Sequence, residues 1–178
     1  KEPWRTIIIG SNRWQMVYTF PELKIPENDT NIILSFHFYE PFIISHYQVW
    51  WNDMKDFKGA LHYPGLTTDS NHFDNYSQAT QNILREHNGI YNKEVMTKKI
   101  SVAIDYAKEH HLQLYCGEFG CYPSTPMLLR QMVYRDWISI FDEHQIAWAH
   151  WNYKNDFPIV DAETLEPISP LTDILIQK

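Results

Sequence analysis

Leu-Gln-Leu-Tyr-Cys-Gly-Glu-Phe-Gly, residues 112–120, is a short apolar run that ends in a glutamate between two glycines. Side chains alternate along an extended segment, so Glu118 is predicted to lie on the face of the apolar side chains. Those side chains are Leu112, Leu114 and Cys116. The flanking glycines let the backbone turn and let a ligand approach closely. The pattern predicts a core strand that delivers a reactive carboxylate to its end; the alternative is a glutamate that only caps the strand or forms an ion pair.

Similar apolar patterns on both sides of this stretch set the fold class. They predict strands at residues 6–10, 31–39 and 146–151. Helical spacing predicts helices near 77–86, at 93–111, from an N-cap at Ser124 to about 144, and at 170–176. The alternation of strands and helices favours an α/β fold with parallel strands.

Polar and aromatic side chains lie at or just beyond the carboxyl end of each predicted strand. They are Asn12 and Trp14, His37 and Tyr39, Glu118, and Trp151. In a (β/α)₈ barrel, active sites lie at the carboxyl ends of the strands, which fits this placement. A complete barrel needs eight strands and about 250 residues, so four strands in 178 residues predict half a barrel.

Composition narrows the classes of partner. The formal net charge is −7 and no basic run occurs, which argues against nucleic acid. No stretch approaches the roughly 18 apolar residues of a membrane span, and no signal peptide is visible at the start.

Cys116 and Cys121 are close enough for a disulfide but do not demand one, and no zinc-site spacing occurs. We expect no metal and no cofactor. Seven Trp and eleven Tyr suit a protein that stacks on sugars.

Four motifs, in order, resemble glycoside hydrolase family 5 cellulases. His-Phe-Tyr-Glu-Pro at 37–41, with the following residues to 65, resembles the sixth-strand region of that family. Gly-Glu-Phe-Gly at 117–120 resembles its seventh-strand motif, residues 148–151 its eighth strand, and residues 7–14 its fifth. The resemblance implies that residues 1–178 are a single half-barrel segment, strands five to eight, of a glycoside hydrolase catalytic domain.

The resemblance also implies roles for single residues at a catalytic centre. Glu118 would be the nucleophile that forms a covalent glycosyl-enzyme intermediate, with Tyr39 holding its carboxylate by a hydrogen bond. His37 and His46 would orient the site and contact sugar hydroxyls.

Further residues would bind substrate. Trp151 would be the stacking platform, and Trp51 and Trp14 would line neighbouring subsites. Asn12 joins this set, unless it only caps its loop.

The implied reaction is retaining hydrolysis of a β-1,4-glucan, and its acid/base residue is missing from the chain. That glutamate lies in an Asn-Glu-Pro motif of the fourth strand in the family, and no Asn-Glu-Pro occurs here. Glu40 follows Tyr39 directly and is predicted to point away from it. We therefore expect the isolated chain to be inactive, and cellulose, mannan, xyloglucan and lichenan all remain open as substrates.

Partners and location follow from the same resemblance. The chain is expected to associate with an N-terminal half-barrel or with a second copy as a homodimer. The alternative function is a catalytically incomplete half-barrel that binds sugar or assembles with a partner half. A polymeric substrate implies a secreted, extracellular or periplasmic protein.

Overall fold

The computed structural model of the protein describes residues 2, 4–27 and 29–176. The strands are β1 (Ile7–Gly10), β2 (Ile32–His37), β3 (Gly65–Leu66), β4 (Ile90–Tyr91), β5 (Gln113–Glu118) and β6 (Ala147–Trp148). The helices are α1 (Asn12–Gln15), α2 (Phe42–Ser45), α3 (Gln78–His87), α4 (Lys93–His110), α5 (Met127–Glu143) and α6 (Ser169–Ile176). Short 3₁₀ helices lie at Val17–Glu22 and Ser70–Asn75.

The main sheet has four strands in the order β1-β2-β5-β6, and every neighbouring pair is parallel. The predicted alternation of strands and helices is therefore confirmed. β3 and β4 form a separate antiparallel pair that the sequence patterns did not reveal, because each strand has only two residues.

Two long helices pack against the sheet through their apolar stripes. The stripe of α4 is Met96, Ile100, Ala103, Ile104 and Ala107, all buried. The α4 helix begins where the Asn92 side chain accepts a hydrogen bond from the Val95 N–H at 2.8 Å, and it ends at left-handed His111. On α5, Trp137 and Phe141 are fully buried, and each such side chain stabilises the fold by about 1.5–3 kcal/mol.

Two predicted boundaries are wrong. Helix α5 begins at Met127, not after Ser124, because the Thr125 N–H donates to Tyr122 O in a turn that precedes the helix. The fourth strand of the sheet is only Ala147–Trp148. Beyond it the chain still contacts β5 irregularly, since the Ala149 N–H donates to Cys116 O at 2.9 Å.

The sheet has an open edge at β1. Ile7 and Ile8 are 49% and 57% exposed, although the apolar run 6–10 has the composition of a strand buried on both faces. Among the described residues, β1 pairs with β2 and with no second strand, so its other edge is unpaired there. An apolar strand with an unpaired edge is a template for pairing with another chain.

We predict that the 178-residue chain alone is not a stable monomer and self-associates through this edge. Ile8→Lys, which places a charge on the exposed part of β1, should reduce the association. Light scattering across a concentration series of both forms measures the effect. A wild-type chain that remains a compact, cooperatively melting monomer would contradict the prediction.

Candidate active site

The carboxyl ends of β2 and β5 bring three of the predicted site residues together. The Tyr39 hydroxyl donates a hydrogen bond to Glu118 Oε2 at 3.0 Å. His37 Nδ1 lies 3.3 Å from the same oxygen. Parallel strands end at the same edge of a sheet, and the Phe38 N–H donates to Glu118 O at 2.9 Å, which fixes the two strand ends together.

An irregularity at Gly117 decides which way Glu118 points. Phe36 pairs with Cys116, but the next pair is His37 with Glu118, so Gly117 is left out of the register. Paired residues of parallel strands project to the same side, whereas Phe36 and His37 project to opposite sides. The predicted placement of Glu118 on the face of Cys116 is therefore wrong, because the bulge reverses the alternation.

The close approach that Gly117 permits is to protein, not to ligand. A Cβ at this position would lie 3.1 Å from Ser35 Oγ and 3.3 Å from His37 Nε2. The glycine therefore lets β2 and β5 come together at the point where His37 meets Glu118.

The tyrosine and histidine beside Glu118 differ in their electrostatics. Burial, and then the neighbouring Glu118 carboxylate, raise the pKa of Tyr39 far above its ordinary value. Its hydroxyl therefore stays protonated and acts as a donor to the carboxylate. Burial lowers the pKa of His37, and the charge of Glu118 opposes that shift.

An aromatic wall continues from Tyr39. The His46 ring lies 5.0 Å from the Tyr39 ring, and Phe157 lies 5.5 Å from both. Trp51 joins this wall at 5.8 Å from Phe157 and is 41% exposed. Burial, with a smaller contribution from His87, lowers the pKa of His46 to about 3, so His46 is neutral at physiological pH.

Trp151 is tied to the Glu118 segment by its backbone. Its N–H donates to Phe119 O at 2.9 Å, and its peptide bond to Asn152 is cis. Gly120 lies directly beneath, since a Cβ there would overlap the Trp151 carbonyl oxygen. The indole is 43% exposed.

The other two predicted residues lie on the loop after β1. Trp14 is 84% exposed in a left-handed turn formed by Arg13, Trp14 and Gln15, and Met16 then bridges to His37. The Asn12 side chain donates to Glu22 Oε2 at 3.2 Å and holds its own loop. The structure thus brings Asn12 into that loop contact and not into contact with Glu118.

Glu40 is held on the far side of Tyr39. Its Oε2 accepts from the Tyr91 hydroxyl at 2.6 Å and from the Phe42 N–H at 3.1 Å. Lys99 Nζ lies 3.4 Å from its other oxygen. The predicted orientation away from Tyr39 agrees with these contacts.

Sequence reasoning missed Phe157, which contacts Tyr39, His46 and Trp51. Its only signal was an aromatic residue in the loop that follows the last strand. Cys116 and Cys121 are both buried and free. Across residues 2, 4–27 and 29–176, no cluster of side chains could hold a metal ion and no helix is long and apolar enough to cross a membrane.

Comparisons with known proteins agree on one family. The model of the cellulase family, glycosyl hydrolase family 5, matches residues 1–157. Endoglucanase C of Acetivibrio thermocellus is 32% identical over 180 residues, which cover 96% of this chain and 52% of that protein. The chain thus spans about half the length of the first curated relatives it matches.

Solved structures show the same fold and the same half coverage. A hyperthermophilic endo-β-1,4-glucanase solved with substrate is 25% identical, with a TM-score of 0.77 over 99% of this chain and 49% of that one. Thermotoga maritima Cel5A with cellobiose is 19% identical, with a TM-score of 0.74 over 96% of this chain and 48% of that one. The predicted half of a (β/α)₈ barrel is therefore confirmed.

We predict that Gly120→Ala lowers the free energy of unfolding by about 1–3 kcal/mol, because the new Cβ would overlap the Trp151 carbonyl. Gly89→Ala is the matched control, since its Cβ would meet only Tyr91 at 3.6 Å, an ordinary contact. Urea unfolding of the two variants measures both changes. Equal stability of the two would show that Gly120 is not required by this close approach.

Proposed function

The chain belongs to glycosyl hydrolase family 5, and we propose that it supplies the nucleophile half of a retaining β-1,4-glucan hydrolase. The observation that carries the proposal is the contact between the Tyr39 hydroxyl and Glu118, at 3.0 Å, with His37 beside the same oxygen. A carboxylate held this way at the carboxyl ends of parallel strands is oriented for attack and remains partly open, at 24% exposure.

In this mechanism, ionised Glu118 attacks the anomeric carbon of the sugar and the bond to the leaving glycosidic oxygen breaks. The Tyr39 hydroxyl keeps its proton and fixes the carboxylate by its hydrogen bond. Water then hydrolyses the covalent glycosyl-enzyme, which frees Glu118 with net retention of configuration.

The leaving oxygen needs a proton from a second carboxyl group, about 5–5.5 Å from the nucleophile in retaining enzymes. The 178 residues contain no Asn-Glu-Pro, and Glu40 is bound to Tyr91 and Lys99. We therefore assign the acid/base residue to an N-terminal half-barrel, whose strands would also cover the open edge at β1. The isolated chain is then inactive.

The second candidate is a half-barrel that binds sugar or assembles with a partner without hydrolysis. The exposed indoles of Trp14, Trp51 and Trp151 favour it, because binding needs platforms but no acid. For either function the proposed ligand is a β-1,4-glucan chain, and a polymeric substrate of this kind implies secretion.

We predict that Glu118→Gln in the protein at its natural full length lowers hydrolysis of β-glucan on the order of 10³-fold or more, because no covalent route remains. Reducing-sugar release from soluble cellulose derivatives measures the change. The fold should be retained, as judged by circular dichroism.

Glu86→Gln is the control, since the Glu86 side chain is 74% exposed and should leave activity unchanged. A Glu118→Gln protein with a tenth of wild-type activity would rule out Glu118 as the nucleophile. If the single variant Glu40→Gln also loses activity relative to wild type, Glu40 would instead be the acid.

Trp151→Ala should weaken binding of cello-oligosaccharides by roughly 1–3 kcal/mol if the indole stacks on a sugar ring. Trp4→Ala is the matched control, because Trp4 is 82% exposed and precedes β1, at the opposite end of the sheet. Calorimetric titration with cellotetraose and cellohexaose compares the two. Unchanged affinity in Trp151→Ala would remove this residue from the binding surface.

A further inference from the structure

Helix α5 carries a pair of polar side chains toward the loop that holds Trp151. Arg130 and Tyr134 are one helical turn apart, and both are buried. The Tyr134 hydroxyl lies 2.7 Å from His150 Nε2, and the Cys121 N–H donates to the same hydroxyl at 3.2 Å. Tyr134 thus touches the segment after Glu118 and the segment before Trp151.

The direction of each hydrogen bond follows from chemistry. His150 Nδ1 lies 3.1 Å from the Asn152 carbonyl oxygen, which can only accept, so Nδ1 carries the proton. In a neutral ring Nε2 is then an acceptor, and it takes the Tyr134 O–H. The chain of donors runs from Cys121 N–H through Tyr134 and His150 to Asn152 O.

The surroundings of His150 keep its ring neutral. The hydrogen bonds from Tyr134 through His150 to Asn152 require a neutral ring. Burial lowers the pKa of His150, the Asn152 carbonyl opposes this shift and the Arg130 charge adds to it, and the net pKa is about 4. Arg130 also donates from Nη2 to Pro158 O at 3.4 Å. The same helix therefore holds the loop on both sides of Trp151, and Phe157 with it.

The indole of Trp151 is 43% exposed. Within the part of the chain that the structure describes, no aromatic ring packs against its indole. Its orientation is set by its backbone, which lies between His150 and Asn152 and above Gly120.

We propose that Tyr134 and His150 are positioning residues that fix Trp151 relative to Glu118. They act through the Cys121 backbone on one side and the Asn152 carbonyl on the other. The proposal rests on the proposed function, in which Trp151 binds the sugar that Glu118 attacks. Neither residue touches the sugar.

The first test measures Trp151 directly and needs no substrate. The full-length protein is labelled with fluorotryptophan, and the Trp151 signal in fluorine NMR is assigned by its loss in Trp151→Phe. Tyr134→Phe, which removes one hydroxyl and keeps the ring, should shift or broaden this signal. Tyr106→Phe is the matched control. Tyr106 lies on helix α4, and the change removes a hydroxyl that donates to Leu23 O at 2.6 Å.

The second test measures coupling in activity. Tyr134→Phe should lower kcat/KM on cello-oligosaccharides about tenfold, the usual effect of leaving buried polar groups unpaired. In a Trp151→Ala background, the same change should cost less than about twofold, because residues that act through one another are not additive. A loss caused by general destabilisation would be the same in both backgrounds.

His150→Asn provides a second variant, because its amide N–H can still donate to the Asn152 carbonyl, whereas the shorter side chain has no acceptor at the position of Nε2 that Tyr134 reaches. Its Trp151 signal should lie nearer to the wild-type position than that of His150→Ala. An unmoved Trp151 signal in Tyr134→Phe overturns the proposal, as do equal losses of kcat/KM in the two backgrounds. A wild-type protein that neither binds nor cleaves cello-oligosaccharides overturns the proposed function instead, and the fluorine signal still decides whether Tyr134 positions Trp151.

Discussion

The candidate site depends on the register between β2 and β5, which breaks at Gly117. With regular alternation, Glu118 would follow Cys116 into the core and would meet apolar side chains. A buried carboxylate without partners costs several kcal/mol, so that arrangement would destabilise the fold. The bulge instead turns Glu118 toward Tyr39 and His37, where one oxygen has a hydrogen-bond donor at 3.0 Å and the side chain remains partly hydrated. The glycine makes this possible, because Ser35 and His37 already occupy the space that a side chain would need.

The same bulge explains what could be predicted from the sequence and what could not. Strands and helices were predicted in the right order because their apolar side chains recur at the spacings of extended and helical backbone. Glu118, Tyr39 and His37 were singled out because each lies at the carboxyl end of a predicted strand, and the family resemblance implied their roles. The face of Glu118 was predicted wrongly, since a bulge is set by contacts between strands that are 79 residues apart and leaves no periodic signal. Phe157 was missed for a similar reason, because it reaches the site from an irregular loop.

The exposed isoleucines of β1 show a second limit of pattern reading. Composition indicates the environment a strand is suited to, and Ile7 and Ile8 are suited to burial. In the structure they are about half exposed, since strand side chains project from the faces of a sheet and the described residues cover these two only in part. The mismatch between composition and environment agrees with the coverage of relatives, since the chain spans 52% of Endoglucanase C and 49% of the endoglucanase solved with substrate.

Helix α5 connects the strand ends that would otherwise depend only on the sheet. Trp137 and Tyr134 are both fully buried on this helix. Each ring also carries a polar group: Trp137 Nε1 donates to Glu40 O at 2.9 Å, and the Tyr134 hydroxyl meets His150. A buried polar group must be paired, so these bonds fix the segment after β2 and the segment after β6 to one rigid helix. Glu118 lies between those segments on β5, so helix α5 adds to the direct contacts of the β5 end with Tyr39 and with the Trp151 backbone.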